Sequence, residues 1–152
     1  MKPLTMIVLA FATLASFAGP LARADAADAN MTPDPQGLYA GYRGTTLPMS
    51  GHQLAFIKKG ARVDVLVTFD ALMTDKRKEK VTATILQNIA VVDVIKPAKL
   101  DDVGAIQLLL NPNETQYAAL SQVQGTIHIV VRAEGDTAMT QMEMATFRKL
   151  FK

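Results

Sequence analysis

The stretch from Arg62 to Phe69 limits the possible folds most. Val63, Val65, Val67 and Phe69 fall on one face, and Arg62, Asp64 and Thr68 on the other, with Leu66 the exception. A period of two marks a half-buried strand, and such a strand needs neighbours. The chain offers three more extended stretches. Val81–Ile95 is followed by Pro97, and its apolar face changes at Gln87-Asn88, which predicts a bulge or a strand break there. Val103–Leu110 brings Ile106, Leu108 and Leu110 into phase, and Thr126–Val131 does the same for Ile127, Ile129 and Val131. Between the last two, Asn111-Pro112 opens a helix as cap and first helical residue, and Gly125 closes it. Tyr117 and Leu120, with Ala118 and Val123, would form its apolar side. The fold class is therefore mainly β with one internal helix. Its expected core draws on Val63, Val65, Val67, Ile85, Ile89, Val91, Leu108, Leu110, Ile127 and Ile129.

The first two dozen residues belong to a different kind of segment. Met1-Lys2-Pro3 is a short cationic start, Leu4–Ala18 is apolar, Gly19-Pro20 breaks the helix, and Ala22-Arg23-Ala24 supplies small residues around a cleavage site. That order is a secretory signal peptide over residues 1–24, with Ala22 and Ala24 as the cleavage pair. The apolar run is short for a span, which needs about 20 residues, so an uncleaved anchor is the alternative reading. No later segment is long and apolar enough to span. Lys2 and Arg23 lie in this segment and no acid does, so 14 basic and 14 acidic residues remain after it. A neutral domain implies no basic surface for nucleic acid. The chain has no cysteine, so an exported domain must fold by burial alone, and a periplasm is the simplest compartment.

Residues 25–37, with Pro33 and Pro35, read as a flexible lead-in to a domain over 38–132. Residues 133–152 read as a linker and a C-terminal amphipathic helix, in which Met139, Met142, Phe147, Leu150 and Phe151 recur at mostly helical spacing. That stripe suits packing back on the domain or docking into a partner's groove, and methionine-rich surfaces adapt to partners. The charge run 75–80 reads as a solvated turn between strands. It also offers Lys76, Arg77 and Lys78 as glycan contacts beside Tyr39 or Tyr42.

Catalytic groups do not converge in the sequence. His52 and His128 have no second ligand at a recognised spacing, so no metal and no cofactor is expected. Ser50 and Ser121 are the serines beyond the signal segment, and neither sits in a nucleophile elbow. Asp101 and Asp102 are neighbours that point apart on an extended chain. An enzyme is not expected.

Three stretches carry a family resemblance. The first is Tyr42-Arg43-Gly44-Thr45-Thr46-Leu47-Pro48 followed by Lys59-Gly60-Ala61-Arg62-Val63-Asp64-Val65-Leu66. The second is Thr84-Ile85-Leu86-Gln87-Asn88-Ile89-Ala90-Val91. The third is Leu110-Asn111-Pro112 with its helix, then Gly125-Thr126-Ile127-His128-Ile129-Val130-Val131-Arg132. In order and spacing they resemble the CpaB/RcpC family of Flp (Tad) pilus assembly proteins, although Lys59 stands where that family usually has Pro. The resemblance implies a β-clip, SAF-type domain. It also implies a periplasmic assembly factor that binds an outer-membrane secretin or a pilus subunit. Members commonly carry a membrane anchor and a further domain upstream, so a stand-alone soluble variant is expected here. The alternative function is a periplasmic peptidoglycan- or carbohydrate-binding module.

Overall fold

The computed structural model describes residues 32–74 and 76–151. The signal peptide with Ala22 and Ala24, and residues 25–31 of the lead-in, lie outside the described residues. The domain is mainly β. Its strands are β1 (Arg43–Ser50), β2 (Arg62–Leu72), β3 (Lys78–Ile95), β4 (Val103–Leu110), β5 (Gly125–Val131) and the two-residue β6 (Ala145–Thr146). A one-turn helix α1 (Gly51–Leu54) follows β1, and helix α2 (Pro112–Gln124) joins β4 to β5. All described pairings are antiparallel, in one six-stranded sheet of order β1-β4-β3-β2-β5, with β6 on β3.

Strand alternation sets the core. Val63 and Val65 of β2, Leu86, Ile89 and Val91 of β3, and Ile106, Leu108 and Leu110 of β4 are buried on one face, with Leu47 and Met49 of β1 and Ile127 of β5. Leu54, Ile57 and Ala118 close the core from the helix side, while Ile85 and Ile129 pack against it partly buried. Edge strands β1 and β5 curl toward each other closely enough for Thr46, Pro48 and Ser50 to line one groove with Thr126 and Ile127. Lateral closure of this kind follows from strong twist.

The expected irregularity at Gln87-Asn88 is a bulge. Val63 pairs with Ile89, Val65 with Leu86 and Leu66 with Thr84, so β3 carries one extra residue in each of two consecutive steps. Asn88 takes the positive φ that this needs, at 57°, a backbone state that asparagine tolerates better than branched residues. Another extra residue, Val92, separates the Val91–Leu108 and Asp93–Gln107 pairs. These bulges bend one 18-residue strand enough to serve β2 along most of its length and β4 at its end.

Helix α2 begins as read from the sequence. Asn111 Oδ1 accepts from Glu114 N at 2.9 Å, and Glu114 Oε2 accepts from Asn111 N at 2.7 Å, a reciprocal capping box. Its buried side agrees with the expected one only at Ala118. Ala118 and Ser121 face inward, whereas Tyr117, Leu120 and Val123 are exposed. Tyr117, Leu120, Ser121 and Gln124 instead line a groove between the helix and Val67, Phe69 and Ile85 of the sheet. Gly125 closes the helix where the chain meets β2, and a Cβ there would collide with the Thr68 carbonyl oxygen. It begins β5 in extended conformation.

The C-terminal segment is not the amphipathic helix that its spacing predicts. Residues 137–144 have no regular secondary structure, Ala145-Thr146 pairs with Thr82 and Val81, and only Phe147–Phe151 winds into a short 3-10 turn. The cause is tertiary. β3 outruns β4, which pairs only with Ala90 to Ile95, so the first half of β3 has an edge that β2 does not cover. An unpaired edge offers backbone partners that compete with local helix formation.

Candidate functional site

The C-terminal segment forms a strap along the edge of β3, and a buried ion pair fixes where it starts. Asp64 sits on the polar side of β2 but is buried, because the guanidinium of Arg132, just past β5, lies over it. Arg132 Nη1 donates to Asp64 Oδ1 at 2.9 Å and to Oδ2 at 3.2 Å, and only 7% of the Arg132 side chain is exposed. The Asn88 N–H at the bulge donates to the same Asp64 Oδ1 at 2.8 Å. Arg132 Nη2 donates to Asp136 Oδ1 at 2.8 Å and to the Ala138 carbonyl, and Nε donates to the Asp136 carbonyl at 3.2 Å. Each of the three guanidinium nitrogens thereby donates to a partner. One arginine ties strand β2 and, through Asp64, the β3 bulge to the root of the strap.

From there the strap runs antiparallel to β3 on polar anchors. The Gln87 carboxamide acts as a backbone substitute: its Nε2 donates to Thr140 O at 2.8 Å, and its Oε1 accepts from Thr140 N at 3.1 Å. Thr84 Oγ1 reaches Met142 Sδ at 3.5 Å. After the β6 pairs, Glu79 Oε1 accepts from Arg148 N at 3.1 Å. Each such bond is worth about 1 kcal/mol net and most are exposed, so the strap is among the less stable parts of the domain.

The anchors engage mainly backbone, leaving the side chains to solvent. Met139, Met142, Phe147, Leu150 and Phe151 are 50–75% exposed. The Phe147 and Phe151 rings stack edge to face with centroids 4.9 Å apart, forming one apolar knob. The residues expected to form the stripe of a helix are thus brought together along a strap.

The strap's charge depends on pH. Hydrogen bonding from Arg132, then from the Ala138 N–H, holds the Asp136 carboxyl below its ordinary value of 3.8. Asp136 and then Asp64 raise Arg132 above its ordinary value. The hydrogen bond from Lys149 lowers Glu143 below 4.5. A carboxylate with a lowered folded-state value contributes fully above its ordinary value, and the contribution disappears as pH falls through the lowered one. Acidification from neutral pH should therefore release the strap below about pH 4 before the sheet melts. Backbone amide shifts of Ala138 and Thr140 should move while those of Val65 and Leu108 stay. Simultaneous movement of all four would mean that the strap has no separate acid transition.

The glycan candidates do not form one site. Lys76, Arg77 and Lys78 are exposed at the β2–β3 turn, where Leu72 pairs with Lys78. Tyr42 is exposed and Tyr39 half-buried just before β1. Arg43 pairs with Leu110, and the neighbouring Leu109 pairs with Ala90, itself opposite Arg62. The tyrosines are therefore level with the far end of the β2–β3 hairpin, because period-two pairing carries the turn away from them. His52 Nε2 lies 3.0 Å from Asp101 Oδ1, both largely exposed. Among the described residues no three His, Asp or Glu side chains gather as metal ligands, and no helix is long and apolar enough to cross a membrane.

The sequence reading missed Asp64 and Arg132. A lone Asp between valines on a strand reads as solvent-facing, and its partner lies 68 residues away. Gln87 and Asn88 did stand out, as amides that interrupt an apolar pattern. No protein-family model, curated protein or solved structure matches this chain.

Proposed function

We propose that the protein is a periplasmic assembly factor of a Flp/Tad-type pilus or related secretion system, binding a secretin or another pilus component through its C-terminal strap. The observation that carries this reading is the strap's division of labour. Polar groups fix its backbone to β3, and Met139, Met142, Phe147, Leu150 and Phe151 stand outward. Exposed apolar groups gathered on one segment mark interaction surfaces, and aromatic and methionine side chains are enriched in protein interfaces. The class of partner rests on the resemblance to CpaB/RcpC proteins, whose motifs fall on β1–β2, on the β3 bulge and on the β4–α2–β5 run. A β-clip domain exported by a cleaved signal peptide belongs to the same reading.

The test is capture by the tagged chain, residues 25–152, from detergent-solubilised envelope, with bound proteins identified by mass spectrometry. Recovery of a secretin or a pilus subunit is the expected result. Envelope containing a secretin and pilus subunits that yields neither would overturn the proposal. Retention on purified cell wall in its place would favour the peptidoglycan-binding alternative.

A further inference from the structure

We infer that the cleft between the Lys58–Ala61 turn and the loop after β5 binds a phosphate monoester group through Lys58, Lys59 and Arg62. The cleft holds about 400 Å³ and is lined by these three cations from the turn and by Arg132, Glu134 and Gly135 from the end of β5 and the loop after it. That volume lies in the range of small-molecule sites and exceeds what a bare ion needs. The binding surface is separate from the strap's apolar face and needs no protein partner.

The cations sit on a stiff frame. Ala61 N donates to Lys58 O at 3.1 Å to close the turn. Gly60 N donates to Val91 O and Val91 N to Ala61 O, both at 2.9 Å, so the turn is fastened to β3 at Gly60 and Ala61. Arg62 Nη1 donates to Asn88 O at 2.9 Å, which orients the guanidinium and leaves Nε and Nη2 for a ligand. The described ion pairs include none of Lys58, Lys59 and Arg62. A Cβ added to Gly60 or Gly135 would meet nothing within 4 Å, so the mouth is open.

Charge selects the ligand. Arg132 is held by Asp64, Asp136 and Ala138, so that residue lines the cleft with its charge already paired. Among the residues lining the cleft, the cations Lys58, Lys59 and Arg62 outnumber the one carboxylate, Glu134. A phosphate monoester carries about −1.5 to −2 at neutral pH and has oxygens enough to engage all three cations, whereas a carboxylate offers a single charge and two oxygens. The planar fork of arginine suits two phosphate oxygens, and lysines add point charges. Because the domain from residue 25 onward is formally neutral, this local excess is not part of a general basic surface.

The test is a titration of residues 25–152 followed by amide shifts, using inorganic phosphate, glucose 6-phosphate and, separately, phosphatidic acid vesicles. Saturable shifts confined to residues 58–62 and 134–135 are expected. Lys58→Gln, Lys59→Gln and Arg62→Lys, which keeps charge and loses the fork, should each weaken the response roughly tenfold, the equivalent of one charge-assisted bond. Lys76→Gln at the distant turn should leave it unchanged. A tighter sugar phosphate would identify a soluble ligand, and a response to vesicles above that to free phosphate would identify a lipid headgroup. Shifts that do not saturate, that spread equally to residues 76–80, or that survive all three cleft substitutions would overturn the assignment.

Discussion

Replacing Asp64 by alanine should lower the melting temperature by roughly 10 °C. The Asp64 carboxylate is the partner that lets the Arg132 guanidinium stay buried, and it is the acceptor for the Asn88 N–H. Removing it strands a buried cation and leaves a bulge amide without its acceptor. The first loss is the expensive one, since an ion pair broken from one side costs far more than an intact pair contributes. Asp64→Asn keeps an acceptor oxygen for Asn88 and loses the charge, so it should cost about half as much. Thermal melts by circular dichroism measure both. An unchanged melting temperature in Asp64→Ala would mean that Arg132 turns to solvent at no cost, and the strap's root would then have no fixed position.

The second large effect is on binding. Replacing Phe147, Leu150 and Phe151 together by serine should weaken capture of the secretin or pilus partner at least about a hundredfold, because two aromatic anchors of about 1.5–2 kcal/mol each would be lost. The melting temperature should hold within about 2 °C, since all three side chains are mostly exposed. This variant is more informative than removal of residues 139–152. Deletion would uncover the outer edge of β3, which can then pair with other chains and mask a binding defect by association. Full binding by the serine variant would move the contact elsewhere. A large fall in its melting temperature would instead show that the 3-10 turn packs on the sheet and is needed for stability.

Much of the sheet was legible because a strand records its environment every second residue. The alternation in Arg62–Phe69 and Val103–Leu110 located β2 and β4, and the interruption at Gln87-Asn88 located the bulge. Asn111-Pro112 located the start of α2, because a capping box is completed within four residues. The apolar side of α2 was misread for the opposite reason. Tyr117, Leu120 and Val123 look like a core-facing set with Ala118, but only Ala118 and Ser121 are buried, and Tyr117 and Leu120 line an open groove instead.

The candidate site divides in the same way. The sequence alone determined which residues of the last segment are apolar, and it gathered Met139, Met142, Phe147, Leu150 and Phe151 as a set. It also determined a mainly β domain with one capped helix. Only the tertiary structure decided that the set lies on an extended strap, that Gln87 supplies a substitute for backbone pairing, and that Asp64 and Arg132 meet over the bulge. The physical reason is range. Periodicity, caps and turns are settled by neighbours along the chain, whereas an open strand edge and a buried ion pair exist only after distant segments have been brought together.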